Sequence, residues 1–207
     1  MHSKTNHSWK LYLQQQNNRL EIIILSVGTI GVMYLIKAFL SWNEKRPGLV
    51  LNDVLLGVLP SIDFSILTGI LTNGLIFSGL VILAQKPDTF RITLLSAILI
   101  SLLRMLCMYF VPLDPPHGII PLRDLLLENT FYCNQVMVRD LFFSGHTANI
   151  FLIGLLLRKK IQKYVVFAGA GLVATLLLLQ HVHYSIDVLV APIAASISYF
   201  VAKKILS

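Results

Sequence analysis

The sequence predicts an all-α integral membrane protein, a bundle of six transmembrane helices with an interfacial segment after the first. Three observations predict it. Mean hydropathy is +0.74 and 56% of the 207 residues are hydrophobic against 13% charged, a balance outside that of soluble domains. Several apolar runs approach or exceed the roughly 20 residues needed to cross a hydrocarbon layer of about 30 Å. Lys and Arg are unevenly divided between alternate loops, as cytoplasmic and external loops are.

Apolar runs read against charged punctuation place the spans at about 20–42, 63–85, 90–112, 141–157, 162–181 and 184–202. Residues 1–19 are polar and read as a cytoplasmic segment rather than a cleaved signal peptide, leaving 20–207 as the transmembrane domain. Between the first two spans, RPGLVLNDVLLGVLPSID is short and interrupted by Asn52, Asp53 and Pro60. It reads as interfacial or re-entrant.

Six spans put both termini on one side, and that side collects Lys4, Lys10, Arg19, Lys86, Arg91, Arg158, Lys159, Lys160, Lys163, Lys203 and Lys204. The other side receives Lys45, Arg46, Arg123 and Arg139. The bias predicts cytoplasmic termini and an external, periplasmic or lumenal face for the long loop 113–140. It also accounts for the formal charge of +7 without a nucleic-acid partner. Cys107 and Cys133 are too few for a disulfide framework, with a single bridge left open.

Ionisable groups at membrane depth mark function, because each is costly unless partnered or hydrated. His146, His183, Asp187, Arg104 and Asp63 all fall near the outer ends of their spans. His183 and Asp187, spaced i,i+4, share a helix face, so the carboxylate can orient the imidazole; the same spacing serves a pair that merely locks two helices. Ser144 can cap the fourth helix, whose first amides form an anion site, and Gly145 permits close approach to the backbone. Arg104 has no carboxylate within a turn of its own helix; a phosphate would partner it, as would Asp63 or Asp187. Together these groups suit phosphoryl transfer. His183 is the expected nucleophile, Asp187 its orienting partner, His146 the acid for the leaving alkoxide, and Arg104, Ser144 and the Gly145 region the phosphate contacts.

Two motifs carry a family likeness. Asp140, three residues, then Ser144-Gly145-His146-Thr147 is the first; His181-x-His183-Tyr184-Ser185-x-Asp187-Val188 is the second. In them the chain resembles the type 2 phosphatidate phosphatase superfamily, and within it the sphingomyelin synthase-like branch. Weaker likenesses are Arg104, Met108 and Tyr109 in LLRMLCMYFVPLDPP, and Pro60 and Asp63 in LPSID. The resemblance spans about Pro60 to Ala191 and implies a six-span, metal-independent enzyme without cofactor that acts on phospholipids or sphingolipids in the bilayer through a phosphohistidine. It adds Asp140 and Tyr184 to the substrate-binding set. The chain departs from the family's phosphatases in lacking Lys-x6-Arg-Pro, with Leu177 where they carry an arginine, and from the synthases in having Val138 and Arg139 in place of Cys-Gly.

Water as acceptor makes such an enzyme a phosphatase, and a lipid alcohol makes it a headgroup transferase. A lipid transporter or scramblase is a second class, which predicts charges at several depths rather than near one surface. Zinc held by His117, His181 and His183 is a third, although His181 and His183 point to different faces of a helix. A catalytically silent lipid-binding protein is a fourth. Asp124 and Glu128 read as solvated charges, and the sequence does not determine the oligomeric state.

Overall fold

The structure is a computed structural model that describes residues 8–123 and 136–207. Lys4, Asp124, Glu128 and Cys133 lie outside the described residues. All regular elements among those described are helical: α1 (Trp9–Tyr12), α2 (Gln16–Asn43), α3 (Ser65–Leu83), α4 (Pro87–Phe110), α5 (Gly145–Leu156), α6 (Lys160–Leu179) and α7 (Ser185–Ile205). Five of them, α2, α3, α4, α6 and α7, are long and apolar enough to cross a membrane.

The fourth expected span is the exception. In place of 141–157, the helix is α5, with 12 residues, or about 18 Å at 1.5 Å per residue, less than a bilayer core. Its limits have local causes. Ser144 caps its start by accepting from the Thr147 amide at 3.4 Å, and Arg158 and Lys159 follow its last turn. Being short, α5 is enclosed by longer helices: it packs on α3, α4, α6 and α7, and Ala148, Ile150, Leu152, Ile153 and Leu156 are buried. Gly154 lets α6 close on it, since a Cβ there would stand 2.5 Å from Phe167 Cε1.

The other boundaries differ less from expectation. α2 begins at Gln16 because polar residues extend the helix beyond the apolar stretch. It lies at the margin of the bundle, where Leu25, Val32 and Leu40 form its buried stripe and α4 is its principal contact. α4 opens with Pro87 in its first turn and Asp88 beside it, which suits a helix N-terminus.

Helices alternate in direction, so the ends of α2, α4 and α6 meet the starts of α3, α5 and α7 at one end of the bundle. The opposite end is tied by Trp9 Nε1 donating to Ala84 O at 2.8 Å. There Arg91 also pairs with Glu21 at 3.2 Å and donates to Leu206 O at 2.8 Å.

The segment between α2 and α3 contains no helix long enough to span. It meets the stretch after α4 in a parallel bridge between Leu49 and Leu113, closed by Leu49 N to Pro112 O and Asp114 N to Leu49 O, each 3.0 Å.

Candidate active site

The chain leaves α2 through Glu44, whose carboxylate accepts from the amides of Val138 and Arg139 at 3.1 and 2.9 Å. Arg139 returns the contact, donating Nη1 to Glu44 O and Nε to Asp114 Oδ1, both at 2.6 Å. This clamp fixes the backbone just before Asp140. Asp140 then meets Arg104 on α4, Nη2 to Oδ1 at 2.5 Å, while Arg104 Nε donates to Phe143 O at 3.2 Å. The partner of Arg104 is therefore Asp140, neither Asp63 nor Asp187.

Gly145 is required by the same guanidinium. A Cβ at that position would fall 2.5 Å from Arg104 Cζ and 2.8 Å from Nη2, so any side chain would displace the arginine. The close approach foreseen at Gly145 is taken by a side chain of the protein itself. Arg104 stands six residues before Phe110, the last residue of α4, which places it about 9 Å below that helix end.

The second half of the site is the turn from α6 into α7. His183 is 2% exposed and Asp187 fully buried, and His183 Nδ1 lies 3.1 Å from Asp187 Oδ2. A carboxylate only accepts, so Nδ1 carries the proton and Nε2 is the nitrogen with the lone pair. The same Oδ2 accepts from the Tyr184 amide at 3.2 Å, the arrangement in which a residue one turn into a helix reaches back to its cap. Ser144 N donates to Asp187 O at 3.2 Å, which joins the starts of α5 and α7. Arg104, Ser144, Gly145, His183 and Asp187 are thus linked through direct contacts. His146 follows within the first turn of α5, half-buried, with both ring nitrogens shielded from solvent.

The side chains of three expected residues are engaged elsewhere. Asp63 is exposed and caps α3, accepting from Ser65 N at 2.9 Å and Ser65 Oγ at 2.7 Å; these bonds hold its carboxyl below the ordinary value. Tyr184 is buried, its hydroxyl donating to Asp114 O at 2.8 Å and accepting from Leu51 N at 3.1 Å. It braces the outer segments against α7. His181 holds a left-handed backbone, φ 55°, with Nδ1 3.0 Å from His117 O and Nε2 3.2 Å from Leu59 O. Those contacts occupy both ring nitrogens, and the described residues bring no three His, Cys, Asp or Glu side chains together as a donor set. Cys107, half-buried, is a free thiol.

Two residues of the assembly escaped the sequence reading. Gln180 is fully buried and donates Nε2 to Ser65 Oγ at 2.8 Å and Ile120 O at 3.1 Å while its Oε1 accepts from Phe64 N at 3.2 Å. It knots three segments at the end of α6. Asp53 accepts on Oδ2 from Ser185 N at 2.6 Å and Ser185 Oγ at 2.8 Å, and on Oδ1 from Leu55 N at 3.0 Å and Leu56 N at 3.3 Å. One carboxylate caps both its own turn and the first turn of α7. DVLLG reads locally as a capped turn, but nothing in it signals a partner 132 residues away.

No curated protein matches the chain. Residues 139–204 match the family model described as PAP2 superfamily C-terminal, a stretch of about a third of the chain that contains Asp140, the Ser144–Thr147 motif, His183 and Asp187. This match supports placing the protein in the type 2 phosphatidate phosphatase superfamily.

Proposed function

We propose that the protein is a membrane-embedded enzyme of lipid phosphoesters, a phosphatase or a phosphoalcohol transferase that works through a phosphohistidine on His183. The observation that carries the reading is the buried His183–Asp187 pair, hydrogen-bonded at 3.1 Å, next to a capped helix start and a guanidinium. Such a pair leaves Nε2 as a nucleophile and keeps a carboxylate in place to stabilise the imidazolium that forms on attack.

In the first step Nε2 attacks phosphorus, the bond to the leaving alkoxide breaks, and His146 as imidazolium donates the proton that alkoxide needs. In the second, His146, now neutral, takes a proton from the acceptor hydroxyl, whose oxygen attacks phosphorus and releases His183. Water as acceptor yields inorganic phosphate or a phosphomonoester; a lipid hydroxyl yields a transferred headgroup. Arg104 and the first amides of α5 would balance the equatorial oxygens, where charge gathers in the transition state. Asp140, on the guanidinium, sets its orientation and shares it with the incoming phosphate.

The sphingomyelin synthase-like motifs favour transfer, and the absent Lys-x6-Arg-Pro removes the usual signature of the simple phosphatases. The distribution of Lys and Arg supports cytoplasmic termini and a site on the opposite face, reached laterally from the outer leaflet. The test is to incubate the purified protein in vesicles with radiolabelled phosphatidate and phosphatidylethanolamine, with and without ceramide or diacylglycerol. An acid-labile phosphoenzyme with release of phosphate, or with transfer to the added alcohol, supports the reading. Turnover that survives His183→Ala sinks it.

A further inference from the structure

The stretch from Leu49 to Ser61, LVLNDVLLGVLPS, carries one charged group, Asp53. That carboxylate turns inward onto Ser185 and its own turn. Apart from Asn52 and Ser61, what the stretch exposes is apolar: Val54 is 80% exposed, Val58 76% and Leu49 69%, while Leu56 alone of its large side chains is buried. Beyond Ser61 come the exposed Ile62 and the exposed Asp63, whose carboxylate accepts from Ser65 at the start of α3, and then Ile66 and Ile70 on that spanning helix. The outer face of the stretch is therefore uncharged from Val54 to Ile62 and is separated from the apolar face of α3 by a single exposed carboxylate, Asp63, the pattern of a segment seated at the edge of the acyl chains.

Beyond the Leu49 bridge to the stretch after α4, the polar contacts of the inner face go to the turn from α6 into α7. Ile62 N donates to Leu179 O at 2.8 Å, and His181 contacts Leu59 O at 3.2 Å and Ser61 Oγ at 3.1 Å. Leu51 N donates to the Tyr184 hydroxyl at 3.1 Å, and Asp53 holds Ser185. His183 lies inside this grip. We propose that Leu49–Ile62 is a bilayer-seated clasp: acyl chains of the surrounding leaflet cover its outer side chains, while Asp53 is a positioning residue that fixes the first turn of α7 and with it the His183–Asp187 pair. The catalytic consequence rests on the phosphoryl-transfer reading; the seating in lipid does not.

Two measurements test it on the full chain in lipid nanodiscs. Nitroxides at Val54→Cys and Val58→Cys, in a Cys107→Ser, Cys133→Ser background, are compared with one at Ile70→Cys. Collision with oxygen dominating over a nickel chelate, as at Ile70, supports seating in acyl chains. Strong nickel collision at both sites overturns it in favour of water, and shielding from both reagents overturns it in favour of a protein partner. In the second arm, Asp53→Ala is expected to lower kcat on a water-soluble aryl phosphate about tenfold with little change in KM, Asp53→Asn recovering part because it keeps one accepting oxygen. An unchanged kcat in Asp53→Ala beside an active wild type overturns the positioning role. A wild type that turns over no phosphoester refutes the proposed function instead, and the collision data still decide the seating.

Discussion

The guanidinium of Arg104 occupies the space that a side chain on residue 145 would need, its Cζ 2.5 Å from where that Cβ would stand. Glycine at the start of α5 and arginine near the end of α4 are therefore one device. It brings a fixed cation against the start of a helix, where the first amides favour an anion.

Gly145→Ala is expected to move the guanidinium while leaving the helices intact, because the added methyl meets a side chain rather than backbone. A misplacement near 1 Å at such a site lowers turnover on the order of a hundredfold. Steady-state kinetics on the purified variant, beside an unchanged size-exclusion profile, checks this.

Arg104 uses two directions at once, Nη2 to Asp140 and Nε to Phe143 O. A lysine is a point charge and cannot keep both, so Arg104→Lys should lose about a hundredfold or more in kcat/KM. Asp140→Ala leaves a largely buried guanidinium without its carboxylate and should destabilise the fold by roughly 3 kcal/mol. A denaturant titration in detergent reads that loss.

His183→Ala should abolish both turnover and any phosphoenzyme. Asp187→Asn keeps the shape but offers the imidazole a neutral partner, and a fall of roughly 10³-fold or more in kcat is expected. Rapid-quench detection of acid-labile phosphate separates the two variants: absent in the first, slowed in the second.

Burial pushes the Asp53 carboxyl up, but hydrogen bonds from Ser185, Leu56 and Leu55 outweigh it, and the group ends below its ordinary value of 3.8. A carboxyl lowered in the folded state stabilises the protein at pH above that ordinary value. The contribution is lost as pH falls through the folded value. The thermal midpoint of the wild type should drop on acidification below about pH 4 more steeply than that of Asp53→Asn, measured by nanoscale fluorimetry across that range.

Gln180 satisfies Phe64 N, Ser65 Oγ and Ile120 O from a fully buried position. Gln180→Leu keeps the volume and strands those groups, so a loss of about 2–5 kcal/mol is expected, since each unsatisfied buried group costs roughly 1–3 kcal/mol. The midpoint of unfolding in detergent should fall while Gln180→Glu, which still accepts from Phe64 N, falls less.

The sequence by itself determined the membrane class, the helical fold and the identity of the two motifs. Hydropathy acts through runs of neighbouring residues, and the i,i+4 spacing of His183 and Asp187 is a property of one helix; both are local and can be read along the chain. Asp140 was visible as part of a motif, yet its pairing with Arg104, 36 positions earlier, was not. Only the tertiary structure decided that α5 stops at 12 residues, that Gly145 faces an arginine, that the Tyr184 hydroxyl bonds to Asp114 and Leu51, and that Asp53 caps α7. Each of those outcomes depends on which helix ends come together, and hydrogen bonds between segments more than a hundred residues apart leave no periodic trace in either partner.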